Sequence, residues 1–475
     1  MSDTINTKVA QAGGSRLEPW ARELKALLAI GVPMALTQLV QFSINTVDVL
    51  MIGRLGPEPL AASSLGLVLF YAAFLIGFGP SMAISPLVSQ TLGADRSNHA
   101  DVRLSVRMGL WAIALAFPVL AVMFLFAKDI ALGLGQPAIL AELAAPYVLA
   151  LAPGLPFMLG VLMLRNFLAA IERTRVPLVI IIATTFLNAF LNYLLIYGNW
   201  GFPRWELAGA GIASSIAHAA GFVMLAIYIG IDKEAARFEI FKDFFRPHWA
   251  RLKEIVRLGW PIGVSTGFEV LLFNAAVFLM GRIGVNEVAA YQVALNVAAV
   301  AFMLPLGLSM AGAVRVGLAA GAGDRAGVAR ASLLTILVCV ASIMIVAIPV
   351  MITPRGIAGL YLDANDPGNR ALLALVASFL PIAAAFALFD ATQVAANQCL
   401  RGLKDVRVPM ILTGVSYWVI GFPLAAWLGL ASPFGAVGVW WGLLASLLAA
   451  ALLLSGRLWR LVQTPAKAAA APEIA

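Results

Sequence analysis

Residues 31–62, GVPMALTQLVQFSINTVDVLMIGRLGPEPLAA, return in altered form as residues 259–290, GWPIGVSTGFEVLLFNAAVFLMGRIGVNEVAA. A shift of 228 positions aligns 31–93 with 259–321 without a gap, and 17 of the 63 pairs are identical. The match centres on Gly53-Arg54-Leu55-Gly56 against Gly281-Arg282-Ile283-Gly284, followed by Ala61-Ala62 against Ala289-Ala290. Pro33 pairs with Pro261, and Ser81-Met82 with Ser309-Met310; at a shift of 232, Arg175-Val176-Pro177 meets Arg407-Val408-Pro409. The chain is an internal duplication.

What is duplicated is strongly apolar. Of 475 residues, 61% are apolar and only 12% charged, against roughly a quarter charged in a soluble protein. A bilayer core is crossed by about 20 apolar residues in a helix. Twelve such stretches occur, near 28–53, 60–90, 105–127, 143–168, 178–197, 208–231, 256–281, 288–319, 331–353, 371–400, 409–430 and 436–456. The expected fold is an all-α integral membrane protein, with twelve transmembrane helices in two parallel pseudo-symmetric six-helix bundles around a central cleft. Six spans per copy is an even number, so the copies point the same way and their axis follows the membrane normal. The division reads as an N-terminal extension (1–24), a first bundle (25–231), a basic linker (232–254), a second bundle (255–459) and a tail (460–475). Residues 1–18 and the Ala/Pro-rich 464–475 read as disordered.

The net charge of +8 is a matter of topology. If both termini share a side, that side holds 24 of the 32 Lys and Arg and the other holds six, with Arg165 and Arg315 near span ends left uncounted. This is the positive-inside pattern, with both termini cytoplasmic, and it argues against a nucleic-acid partner. The opening Ser2-Asp3-Thr4 lacks a signal-peptide layout. Cys339 and Cys399 are read as packing residues, too few for a disulfide framework or a metal cluster.

Three acids lie well inside spans: Asp48, Glu269 and Asp390. A carboxylate at mid-membrane costs about 2.5–3.5 kcal/mol on insertion scales, so its persistence marks a functional candidate. Their repeat partners are Ala276, Gln41 and Met158, so duplication explains none of them. Each has polar company at helical spacing. Gln38, Gln41, Asn45 and Asp48 follow i, i+3, i+7, i+10 on one face. Asp390, Gln393 and Asn397 do the same, Thr185, Asn188 and Asn192 form another stripe, Ser214 and His218 sit one turn apart, and Ser265 precedes Glu269. Polar stripes in lipid face protein or water. For the amides and hydroxyls, interhelical glue and a lining role stay open alternatives. His218 is read as a packed, satisfied histidine, and Arg54 and Arg282 as interfacial anchors. Pro33 and Pro261 free backbone carbonyls and permit bending.

No lysine is followed by Ser or Thr, so a phosphate-binding P-loop and ATP-driven transport are excluded; CxxC and HExxH are absent too, and no metal site or cofactor is expected. Ion exchange is the energy source that remains.

The ordered set Pro33…Gln38…Gln41…Asp48…Gly53-Arg54-Leu55-Gly56…Ala61-Ala62, then Gly259-Trp260-Pro261-Ile262-Gly263…Glu269, then Asp390…Asn397…Leu400-Arg401-Gly402…Asp405…Pro409, resembles the multidrug and toxic compound extrusion family, NorM-type bacterial branch, over roughly 25–458. The resemblance implies a V-shaped pair of bundles in a bacterial inner membrane. It implies export of small-molecule organic cations in exchange for Na⁺ or H⁺, by a monomer among membrane lipids. It places Asp48 at an ion site of the first bundle beside the Asn188/Asn192 pair, and Glu269 and Asp390 at the cation site of the second. The family has an acid at the second position of that pair in some archaeal relatives; Asn192 here departs from a purely proton-relaying site. Two rivals stand beside it. A lipid-linked oligosaccharide flippase of the same architecture would line its cleft with several Arg or Lys, whereas the mid-span charges read here are acidic. An intramembrane transferase would need an acidic metal motif or a reactive His near a loop.

Overall fold

The structure, a computed structural model, describes residues 17–363 and 366–463. Eleven of its helices are long and apolar enough to cross a membrane, and a bent pair makes the twelfth. They are α1 (Glu18–Gly53), α2 (Pro57–Ala94), α3 (His99–Leu125), α4a (Ala138–Leu151) with α4b (Gly154–Ala170), α5 (Arg175–Leu195), α6 (Glu206–Ile231), α7 (Trp249–Ile283), α8 (Val285–Gly321), α9 (Arg325–Ile352), α10 (Arg370–Gly402), α11 (Arg407–Leu430) and α12 (Gly435–Gln463). The bend of 48° between α4a and α4b falls at Ala152-Pro153, where a proline cannot continue the hydrogen-bond ladder.

Several boundaries differ from the sequence reading. The first helix opens at Glu18, with a proline in its first turn and an acidic residue at its positive end, so residues 18–24 of the expected extension are helical. The last helix runs to Gln463, which removes 460–463 from the expected tail. The rest of both extensions, residues 1–16 and 464–475, lies outside the described residues. Residues 249–254 of the linker are the first turns of α7. The remainder of the linker is docked on the first half: Phe238 and Ile240 are buried in its core, Arg107 donates to the Asp243 carbonyl (2.9 Å) and Trp111 to that of Phe244 (2.8 Å). Arg251 pairs with Asp101. A hydrogen bond from Lys242, reinforced by the charges of Lys242 and Arg103, holds the Glu239 carboxyl below its ordinary range.

Each half has its own apolar core, the first around Leu27, Phe124 and Phe167, the second around Tyr291, Phe379, Tyr417 and Trp440. Trp440 anchors the second, with Tyr291 at 5.3 Å and Phe386 edge-on at 5.7 Å between ring centroids.

The halves meet at backbone level. A Cβ added at Gly79 of α2 would strike the carbonyl of Gly259 in α7, and one at Gly307 of α8 would strike the backbone of Ala35 in α1. At the shift of 228, Gly307 is the repeat partner of Gly79, and Gly259 that of Gly31. Farther along, Gly93 meets the Leu318 carbonyl and Gly321 meets that of Gln90, again one contact and its repeat. Ser89 touches Gly317, its own partner. The pseudo-twofold axis therefore passes between α2 and α8. Glycine inside a helix costs about 1 kcal/mol relative to alanine. Here it allows close helix approach, which in lipid substitutes for a hydrophobic drive.

All these crossings fall in the parts of α1, α2, α7 and α8 nearer the side that carries the chain termini. On that side Gln90 also donates to the Gly402 carbonyl at 2.8 Å, and Arg315 grips both Glu23 oxygens at 2.8 and 2.6 Å. The forked geometry makes this a strong pair. It also assigns Arg315, ambiguous in the sequence, to the seam.

Gly259→Leu is expected to hold α2 and α7 apart and to destabilise the chain by about 1–3 kcal/mol, the cost of overpacking. Thermal unfolding of the purified protein in detergent checks this; a wild-type Tm would contradict the crossing.

Candidate functional site

Beyond the crossings, on the side away from the termini, lies a cavity of about 350 Å³. One face of α1 enters it through Gln38, Gln41, Asn45 and Asp48, the four residues whose spacing predicted a shared face. Opposite stand Asn188 of α5 and Ser214 and His218 of α6; Phe70, Tyr71, Phe74 and Phe78 of α2 form an aromatic wall, and Met303 and Leu306 of α8 reach in from the second half.

Asp48 is the centre of a hydrogen-bonded cluster. Its Oδ1 accepts from Asn192 Nδ2 at 2.6 Å and its Oδ2 from Ser214 Oγ at 3.4 Å. Asn192 Nδ2 donates also to Asn188 Oδ1 (3.2 Å), and Asn188 Nδ2 donates to Ser214 Oγ (3.2 Å). The two asparagines lie one helical turn apart, so both project from α5 toward α1. Among the described residues no cation lies within ion-pair distance of Asp48. The carbonyl Oδ1 of Asn192 is buried without a partner. A carboxylate beside an orphaned amide oxygen and a hydroxyl is an all-oxygen set, the donor type a hard cation takes.

In the second half, Asp390 of α10 is 5% exposed and accepts from Gln393 Nε2 at 3.0 Å. Gln393 Oε1 and the Tyr417 hydroxyl are buried without partners. Glu269 of α7 is within electrostatic reach of Asp390 and of Arg401, yet no ion pair joins it to Arg401 among the described residues. Ser265 Oγ donates to Thr413 Oγ1 at 3.4 Å, and Asn397 is buried one turn beyond Gln393. Tyr417 sits in a π-helical segment of α11, Val415–Gly421; such wide turns are enriched at functional sites because they re-aim side chains.

The structure gathers Gln38, Gln41, Asn45, Asp48, Asn188, Asn192 and Ser214 into one place, and Glu269, Asp390, Gln393 and Asn397 into a second. Four expectations change. Thr185 does not join the cavity; Thr184, four residues before Asn188, lines the wall instead, although both hydroxyls bond back to the Ile181 carbonyl. His218 is not satisfied, for its Nδ1 is buried without a partner. Arg165, taken as a span-end residue, lines the cavity and donates to Gln41 Oε1 and Gln38 Oε1, both at 2.9 Å. Arg401, counted with the loops, is 9% exposed; its place eleven residues after Asp390 and four after Asn397 extends that stripe and could have revealed it.

The MatE family model matches residues 33–194 and 261–427, two segments that open at the repeat-paired Pro33 and Pro261. A protein of Rhizobium meliloti named "Probable multidrug resistance protein NorM" is 42% identical over 99% of this chain and 100% of its own length. The chain belongs to the MatE family. A protein of the same name from Mesorhizobium japonicum is 38% identical, covering 92% of this chain and 94% of its own. Solved structures share the fold of this MatE chain. Among them are the eukaryotic MATE transporter AtDTX14 (TM-score 0.82, 21% identity, 94% of this chain and 97% of that one) and an outward-facing multidrug resistance MATE family transporter of the MOP superfamily (0.84, 20%, 93% and 97%).

Asn192→Leu removes the shortest donor to Asp48. It is expected to destabilise the chain by about 1–2 kcal/mol, the upper range for polar contacts between membrane helices, and to abolish any stabilisation by Na⁺. Thermal unfolding in detergent with and without Na⁺ measures both; an unchanged Tm would remove Asn192 from the cluster.

Proposed function

We propose that this MatE protein is a multidrug exporter of the bacterial inner membrane that exchanges organic cations for inward Na⁺ or H⁺. Support for the broad activity comes from the family and from relatives named as multidrug resistance proteins. The finer reading rests on one observation. Asp48, Glu269 and Asp390 lie inside membrane-spanning helices without a bridging cation among the described residues, and Asp48 and Asp390 are met only by amides and a hydroxyl. Such groups are expensive in an apolar setting unless a mobile cation visits them.

In the proposed cycle the termini are cytoplasmic, as the basic loops suggest, so the crossings of α1, α2, α7 and α8 close the cytoplasmic side and the cavity faces outward. A Na⁺ or H⁺ arriving at Asp48, or at the Glu269–Asp390 pair, cancels charge that would hold a cationic drug. The drug leaves, and the ion-loaded halves rock about the glycine seam to face inward. Coupling follows when ion and drug favour opposite states or compete for the same carboxylate. The aromatic wall and Met303 adapt to varied shapes. The chain works as a monomer among lipids, without ATP and without chemical conversion of its cargo. The flippase alternative is the weaker reading, since the cavity presents a single arginine against its acid.

Asp48→Asn, Glu269→Gln and Asp390→Asn, made singly, are each expected to reduce gradient-driven efflux of a cationic dye at least about tenfold, the loss of one differential interaction of roughly 1.4 kcal/mol. Proteoliposomes under imposed Na⁺ or pH gradients supply the readout. Undiminished coupling in all three variants would dismiss the carboxylates as ion sites.

A further inference from the structure

Asp48 and Arg165 are the two fully charged residues on the cavity wall, and the exchange cycle uses only the first. Arg165 is 5% exposed. A guanidinium carries five N–H donors; two are spent on the neutral oxygens of Gln41 and Gln38, one from each terminal nitrogen. No carboxylate lies within ion-pair distance of it among the described residues. The two glutamines thus fix the plane of the fork without neutralising it. If interhelical glue were the purpose, an amide would serve at lower cost, by the same reasoning that singles out the buried acids.

The placement is specific. Gln41 and Gln38 precede Asp48 by seven and ten residues on one helix, so the guanidinium stands roughly 10–15 Å from the carboxylate along α1 at 1.5 Å per residue. Between them runs the wall of Phe70, Phe74 and Phe78. The volume of about 350 Å³ falls in the range of about 300–1,000 Å³ typical of small-molecule sites. Acid at one end, aromatic surface along the middle and an oriented guanidinium at the other end match a flat amphiphile charged at both ends. Arginine takes carboxylates in a forked geometry that lysine cannot copy.

We propose that Arg165, held by Gln38 and Gln41, is a carboxylate subsite that selects zwitterionic aromatic substrates, with their cationic amine directed toward Asp48. This deepens the exporter reading and rests on it, but it is tested by binding alone, without ion gradients, so failure of coupling and failure of this subsite are told apart. The probes are a cationic xanthene dye bearing a free carboxylate and the methyl ester of the same dye. Each is titrated onto the purified full-length protein by fluorescence anisotropy. The wild type is expected to favour the free acid over the ester, and Arg165→Gln to weaken acid binding about tenfold while changing ester binding less than about twofold. Arg165→Lys is expected to fall between. Gln41→Glu, which supplies an internal carboxylate to the guanidinium, is expected to erase the acid preference and serves if Arg165→Gln does not fold. An unchanged acid-to-ester ratio in Arg165→Gln or Gln41→Glu, or equal losses for both dyes, would overturn the subsite.

Discussion

Charge placed in an apolar helix bundle must be answered locally, and the way this chain answers it organises everything else. Asp48 is met by an asparagine amide and a serine hydroxyl, Asp390 by a glutamine amide, and Arg165 by two glutamine oxygens. Every one of these partners is neutral. Closed ion pairs would leave the sites inert, whereas neutral dipoles orient the charges and leave room for a visiting ion or an ionised substrate. Closed pairs such as Arg315 with Glu23 and Arg251 with Asp101 lie at the termini side, where they act as fasteners.

The fasteners and the charges occupy different levels of the same helices. In α1, Gly31 and Ala35 make the seam while Gln38 to Asp48 line the cavity. In α8, Leu308 and Leu318 make the seam while Met303 and Leu306 reach into the cavity. Because the crossings repeat about a twofold axis, motion at the seam in the proposed cycle reaches both proposed ion sites at once, one in each half.

The twelve spans were legible in the sequence because apolar length is dictated by the bilayer. Where boundaries moved, the reason is local chemistry. Residues 18–27 are helical but polar enough to escape a hydropathy reading, and the break at Ala152-Pro153 hides inside an unbroken apolar run. The α1 stripe was legible because its four polar residues share one face and one helix. Thr184 replaced Thr185 because either spacing suits Asn188 and only the packed helix sets its rotation. Arg165 was missed because its Cα sits near the end of α4b while its long side chain reaches across to the middle of α1, a distance no single-helix pattern encodes. Tyr417 depends on a π turn, which is set by tertiary packing rather than by a readable motif.

The central claim is that unbridged carboxylates receive the coupling ion in competition with the drug. It is tested most directly by measuring the Kd of a permanently cationic dye for the purified protein, first across Na⁺ concentration at fixed pH and then across pH without Na⁺. The account predicts that affinity weakens by about tenfold or more along at least one of these axes. A Kd indifferent to both would contradict it.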